Sequence, residues 1–356
     1  MFLNDLKNRG LPPVIPSGLA AGEWAAHRAR IIDLFSEQVY GFTPPAPAAV
    51  KAEIVSTDDG ECAGKADHTE IRLSFETPNG LFSFPADFAI PAGPGPHPLF
   101  IYISFRPYIE CGNYRPLEEI IDGGWAIASF YYNDVAFDGE DGFGGGIAAK
   151  YPRGAPSGKP GADWGKISMW AFAASRVMDY ALTLERIDAG KIYAVGHSRL
   201  GKTALWCAAQ DGRFAGAGAN NSGCSGAAIS RGKKGETIDD ITGRFPYWFC
   251  ENYRQYAGRE PEAPFDQHML AASLAPRKLA VCGAEEDIWA DPASEYMSVY
   301  EADKAYRLLG VKGFSGPAEY PEVGAEFADG NLGYMLRPGK HFFSRQDWRF
   351  YMSFFA

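Results

Sequence analysis

The segment Ile192-Tyr-Ala-Val-Gly-His-Ser198-Arg-Leu-Gly-Lys202 holds the side chains best arranged to do chemistry. Tyr193-Ala-Val reads as a short buried strand, Gly196 as the start of a sharp turn, and Thr203-Ala-Leu-Trp-Cys-Ala-Ala as a helix. A serine at the apex of such a strand, turn and helix is lifted clear of the sheet with a helix N-terminus aimed at it. The N–H groups that follow it, and the helix dipole, can stabilise an oxyanion formed on an attacked carbonyl. One detail is unusual: Leu200 stands two residues after the serine, where this turn normally has glycine, and Gly201 comes one later. A serine that merely caps a helix is the competing reading. The flanking strand and helix favour a nucleophile.

A serine nucleophile needs a neighbour that titrates near neutrality, and histidine is the side chain that does so unaided. The chain has six, at 27, 68, 97, 197, 268 and 341. Chain order in folds that carry this turn is serine, acid, histidine, which disfavours His27, His68 and His97. His197 adjoins the serine, where its side chain should point away from the attacking face. His268 opens a helix with Leu270 and Leu274 on its inner side and reads as a hydrogen-bonded structural residue. His341, in Arg337-Pro-Gly-Lys-His, follows the last expected strand and is the candidate base. For the acid, Leu279-Ala-Val-Cys-Gly runs into an acidic loop where Glu285, Glu286, Asp287 and Asp291 all compete.

Elements able to position these groups can be read along the chain. Residues 1–45 form a helical lead-in, with a helix over Gly22–Tyr40 ended by Gly-Phe-Thr-Pro-Pro. Val50 to Ile90 has alternating, strand-like patterns around a Pro-Asn-Gly turn and predicts an antiparallel opening of the sheet. Short apolar strands then alternate with helices: Leu99–Phe105, Trp125–Tyr132, Ile192–Gly196, Ala215–Ala219, Leu279–Gly283 and Gly333–Arg337. This predicts a single α/β-hydrolase domain over 1–356, a three-layer sandwich with a mostly parallel central sheet. The long segments 133–165 and 225–270 should frame the site.

Composition removes some classes of partner. The net charge of -10 argues against nucleic acid or an anionic membrane, both of which demand a basic face. No stretch approaches the ~18 apolar residues of a membrane span, and no signal peptide is evident. The chain as given reads as cytoplasmic, or as extracellular or periplasmic if a leader has been trimmed. The six cysteines, with no CxxC pair, read as reduced and mostly buried. No metal site and no cofactor is signalled, and nothing fixes the oligomeric state.

Several segments together resemble carbohydrate esterase family 15, the glucuronoyl esterases, in their bacterial form. They are Gly-His-Ser-Arg-Leu-Gly-Lys, Asn220-Asn-Ser-Gly-Cys-Ser-Gly-Ala-Ala, Gly235-Glu-Thr, Asp266-Gln-His with Ala275-Pro-Arg, Glu285-Glu-Asp-Ile-Trp-Ala-Asp-Pro292 and Arg337-Pro-Gly-Lys-His341. The matches run in order from about 190 to 348, while the N-terminal half is merely compatible. The resemblance implies a metal-free serine esterase that cleaves (4-O-methyl-)glucuronoyl esters of the xylan and lignin type, so the expected partner is a glucuronoyl-ester carbohydrate. It implies Ser198 as nucleophile, His341 as base, Arg199 as oxyanion stabiliser, and Lys202, Glu236 and Trp289 as the sugar site. Many members keep the acid immediately before Ser-Gly, where this chain has Asn221. Some bacterial members use a carboxylate in the later acidic loop, and two residues before the tryptophan stands Asp287, assigned here as the acid with Glu286 as runner-up. Two other readings stay open: a deacetylase of sugar esters, and an inactive carbohydrate-binding relative that has lost its acid.

Overall fold

The computed structural model describes residues 2–107, 114–154 and 158–356. Its first strands follow the alternation of the sequence. β1 (Lys51–Gly60), β2 (Ala66–Thr77) and β3 (Gly80–Pro91) form an antiparallel meander, and along β2 the apolar residues Ile71, Leu73 and Phe75 are buried while Glu70, Arg72 and Glu76, which alternate with them, are exposed. β1 is exposed along its whole length at the sheet's edge.

The later strands are apolar on both faces, which suits a sheet covered on both sides. β4 (His97–Ser104), β5 (Ala126–Tyr131), β6 (Ile187–His197), β7 (Gly216–Asn220), β8 (Lys278–Ala284) and β10 (Leu332–Arg337) are parallel to their neighbours in this group, and a two-residue β9 (Glu326–Phe327) closes the far edge. The ten strands make one mixed sheet in the order β1-β2-β3-β5-β4-β6-β7-β8-β10-β9.

Two cores flank that sheet. Leu99, Ile101 and Ile103 of β4 turn to one face, Phe100 and Tyr102 to the other. The larger core takes α1 (Trp24–Phe35), α2 (Lys166–Ala181), α3 (Arg199–Gln210) and α4 (Pro292–Leu308) through side chains such as Phe35, Trp170, Trp206 and Tyr296. The smaller is closed by the helix Leu117–Asp122 and by the C-terminal α5 (Arg345–Phe355), which contributes Trp348, Tyr351 and Phe355. This is the three-layer α/β-hydrolase arrangement, and each of the six short apolar runs expected after residue 98 is a strand.

The lead-in departs from expectation in two ways. The helix expected over Gly22–Tyr40 is a 3-10 turn, then α1, then a wider π-type turn over Ser36–Tyr40. A further short helix, Phe2–Asn8, precedes it and packs Phe2 edge-on to Tyr296 and Tyr300 of α4 at 5.5 and 5.4 Å. Cys207, Cys224, Cys250 and Cys282 are buried thiols, Cys62 is half-buried, and Cys111 lies outside the described residues. Among the described residues, no helix is long and apolar enough to cross a membrane.

Candidate active site

Ser198 sits between β6 and α3 with φ 57° and ψ -127°, a strained conformation for a residue with a side chain. Its N–H donates to the Asn220 carbonyl at 2.9 Å, and its own carbonyl accepts from the N–H groups of Gly201 (2.9 Å) and Lys202 (3.2 Å) to open the helix. The odd glycine spacing has a steric cause. A Cβ on Gly196 would fall 2.0 Å from the Leu200 carbonyl oxygen, and one on Gly201 would lie 3.1 Å from both the Asn220 and Gly196 carbonyl oxygens. The two glycines therefore let strand and helix cross closely, while Leu200 is fully buried in the larger core. Among the described residues the Ser198 hydroxyl has no hydrogen-bond partner, a common state for a nucleophile before substrate arrives.

His341 lies in the loop between β10 and α5, and its Nδ1 is 2.7 Å from Asp287 Oδ2. The Asp287 side chain is 4% exposed and that of His341 43%, so a buried carboxylate orients an accessible imidazole. Burial pushes the Asp287 pKa up, but the hydrogen bond and charge of His341, then the amide of Asn221, outweigh it and hold the carboxyl below its ordinary value. Asn221 Nδ2 donates to Asp287 Oδ2 at 2.8 Å, and the Ala290 N–H to Oδ1 at 3.3 Å. The orientation of the Asn221 amide is fixed by Arg337, which only donates: its Nη2 faces Asn221 Oδ1 at 3.4 Å. Arg337 also donates to the Pro338 carbonyl (3.0 Å) and the Phe342 carbonyl, which bracket His341, while Asp347 holds its Nε at 3.0 Å.

The competing acids go elsewhere. Glu285 and Glu286 expose their side chains, and only their backbone N–H groups bond across, to Arg337 and Gly339 carbonyls at 3.0 Å each. Asp291 caps α4, accepting from Ser294 N (3.2 Å) and Ser294 Oγ (2.6 Å). His268 is buried with Nε2 2.9 Å from the Pro12 carbonyl, the structural role expected of it.

His197 holds a contact that its sequence position did not announce. Its ring centroid is 4.5 Å from that of His341, and its Nδ1 lies 2.5 Å from Asn220 Oδ1. Burial, with the nearby His341 adding to it, pushes its pKa down to about 3, so the imidazole beside His341 stays neutral.

Arg199 opens α3, with Nη1 paired to Asp138 and its guanidinium 4.6 Å from the Trp248 ring centroid. Lys202 is a buried helix lysine rather than a surface one: its Nζ donates to the Ser222 carbonyl at 2.6 Å. Burial lowers its pKa, and nearby Glu236 partly opposes this. Glu236 Oε1 accepts from Trp289 Nε1 at 3.2 Å, and the Glu236 N–H donates to the Trp289 carbonyl at 3.0 Å. That close approach needs Gly235, at φ +69°, since a Cβ there would lie 2.4 Å from the Ile288 carbonyl oxygen. The Trp289 ring is 44% exposed, with the Arg244 guanidinium 5.2 Å from its centroid. The seven residues singled out in the sequence thus lie in the turns, in the loops and in the first turn of α3 that follow the C-terminal ends of the parallel strands β6, β7, β8 and β10. Among the described residues, no group of three or more His, Cys, Asp or Glu is placed to hold a metal ion.

Three residues of this region were not foreseen. Asp138 and Trp248 lie within the two long segments expected to frame the site, where no spacing distinguishes them from neighbours. Arg337 stands in the segment that carries His341, but its clamp on the loop depends on a bend only the structure reveals.

The model of a family described as "Glucuronyl esterase, fungi" matches residues 76–310. A carbohydrate esterase from an unknown prokaryotic organism is 42% identical over 239 residues, 67% of this chain and 54% of that protein. A 4-O-methyl-glucuronoyl methylesterase of Podospora anserina is 28% identical over 316 residues, 85% of this chain and 59% of that protein. The chain thus spans little more than half the length of these two relatives. A solved glucuronoyl esterase from Solibacter usitatus superimposes with a TM-score of 0.87 at 32% identity, covering 97% of each chain.

Proposed function

Because the chain belongs to the glucuronoyl esterase family, we propose that it hydrolyses esters joining the carboxyl group of (4-O-methyl-)glucuronic acid to an alcohol, as in xylan and lignin linkages. The observation that carries this reading is the Asp287–His341 pair at 2.7 Å beside the Ser198 turn, with Lys202 on the first turn of α3 and Glu236 and Trp289 on adjoining loops. The names of the relatives supply the acyl group; the geometry supplies the chemistry.

With Nδ1–H engaged by Asp287, the neutral His341 ring has Nε2 as its free base. Nε2 takes the Ser198 proton as Oγ bonds to the ester carbonyl carbon. The oxygen of that carbonyl becomes an oxyanion facing the first N–H groups of α3 and the Arg199 guanidinium, each such donor worth about 3 kcal/mol in the transition state. The imidazolium, stabilised by the Asp287 carboxylate, returns the proton to the departing alkoxide. Water then repeats the sequence on the acyl-enzyme and releases glucuronate and a free serine. Lys202 and Glu236 can hydrogen-bond sugar hydroxyls, and the open face of Trp289 offers a wall for the pyranose ring. A binding protein without catalysis had its motive in the missing acid at Asn221; with Asp287 against His341 that motive is gone.

The test is alcohol release from methyl and benzyl glucuronate by the purified protein and by Ser198→Ala. Release by the native protein that falls to background in the variant is expected. Equal rates for the two proteins, or hydrolysis of an acetylated sugar but not of the glucuronate esters, would overturn the reading.

A further inference from the structure

Arg199 begins the helix beside the nucleophile, yet an arginine side chain on a surface turn would ordinarily sample many rotamers, and an oxyanion donor works only if it is already in place. The surroundings of this guanidinium are unusually determined. Its Nη1 pairs with Asp138 Oδ2. The same carboxylate accepts from Tyr132 Oη at 2.9 Å and from Trp248 Nε1 at 2.7 Å. Asp138 is 6% exposed, so its charge is held by these three donors rather than by water.

The backbone at Asp138 is fixed as well. Its N–H donates to Asn133 Oδ1 at 2.6 Å. The carbonyls on either side of it, of Phe137 and Gly139, both accept from the buried Lys166 Nζ at 2.5 Å, and Lys166 adds an ion pair to Asp141 at 2.8 Å. The guanidinium carbon lies over the Trp248, Phe245 and Phe105 rings at 4.6, 5.5 and 5.7 Å from their centroids, and Phe245 stacks on Trp248 at 3.9 Å. Nη2 has no partner among the described residues. One end of the fork is anchored and aromatic rings crowd the group, which leaves the other end to a ligand.

We propose that Asp138 is a positioning residue for ester hydrolysis, holding Arg199 with its free Nη2 toward the oxyanion at Ser198; this rests on the reading of Arg199 given above. A carboxylate suits the task better than a neutral acceptor because a charge-assisted bond is shorter and stronger. Its negative charge is shared with the Tyr132 hydroxyl and the Trp248 indole N–H, so the guanidinium is not its only donor.

The test is a double-mutant cycle on benzyl glucuronate with Asp138→Asn, Arg199→Gln and the pair, measuring kcat and KM separately. Asp138→Asn should lower kcat about ten- to a hundred-fold with KM within about three-fold, and should cost less than about two-fold once Arg199 is already glutamine. Its acidic pH limb should match that of the native enzyme, since Asp138 is not bonded to His341. An equal loss in both backgrounds, or a loss confined to KM, would overturn the proposal. So would native kcat in Arg199→Gln, which leaves hydrolysis through Ser198 standing; a Ser198→Ala variant of native rate marks failure of the underlying reading instead. If Asp138→Asn does not fold, Trp248→Phe removes only one donor to Asp138 and keeps a ring over the guanidinium. That variant should lose about three- to ten-fold in kcat in the native background and nothing measurable beside Arg199→Gln; loss of the same size in both overturns the proposal.

Discussion

Glu295, on the first turn of α4, is the buried carboxyl whose replacement most directly tests the electrostatics beneath the site. Its Oε1 accepts from Gly223 N at 2.8 Å and from Ser222 Oγ at 3.2 Å, holding the segment that follows Asn221, while Oε2 is buried without a partner. Burial pushes its pKa from 4.5 to about 8, against the bonds from Gly223 and Ser222 and with added push from Asp287. The folded protein therefore holds this proton more tightly than the unfolded chain does. The stability so conferred is full below about pH 4.5, declines as pH rises, and is gone above about pH 8. Each tenfold change in proton affinity is worth about 1.4 kcal/mol, so the whole span is about 5 kcal/mol and the part between pH 5 and pH 8 about 3 kcal/mol. Glu295→Gln keeps an Oε1 acceptor for Gly223 and Ser222 and cannot ionise. Urea unfolding followed by tryptophan emission should then show the variant within about 1 kcal/mol of native at pH 5 and more stable than native by about 4 kcal/mol at pH 8, the subtraction removing titrating groups that do not interact with Glu295. A difference that does not change between pH 5 and pH 8 refutes the reasoning.

Asp287→Asn should lower kcat on benzyl glucuronate by about 10⁴ through loss of the imidazolium's counter-charge, whereas Glu286→Gln, on an exposed side chain, should stay within about two-fold; the opposite ranking would move the acid to Glu286. Trp289→Ala removes a sugar wall without touching the reacting atoms, so steady-state kinetics should show KM raised about ten-fold with kcat little changed, and a fall in kcat at constant KM would refute that assignment.

The parallel strands were legible because each is a short run of apolar residues bounded by turn formers, and burial on both faces is the simplest account of such runs. Ser198 and His341 were singled out for a different reason: a strand-to-helix turn with a serine at its apex and a late histidine are local features. What stayed hidden is long-range. Asp138 reaches Arg199 across 61 positions, and nothing in the segment around Asp138 marks it over the neighbouring Glu140 and Asp141. His197 was expected to point its side chain away from the attacking face; that its ring stands beside that of His341 depends on the loop after β10 and could not be read within the turn.

Asn221 shows most clearly where residue type and geometry must be combined. In the sequence it reads as a deficit, an amide in the place where the family resemblance leads one to expect the acid. In the structure it is a donor: Arg337 claims its oxygen, so its nitrogen must face Asp287, and the carboxylate one strand over receives two hydrogen bonds on the oxygen that orients His341. A carboxylate at 221 would face Asp287 across the same 2.8 Å with like charge, and one of the two would have to take up a proton. An amide there and a carboxylate at 287 are thus two halves of one arrangement, and Arg337 completes it by bonding the carbonyls on both sides of His341. On the proposed reading the acid of this chain is Asp287, on the next strand's loop, and Asn221 holds its carboxylate in place.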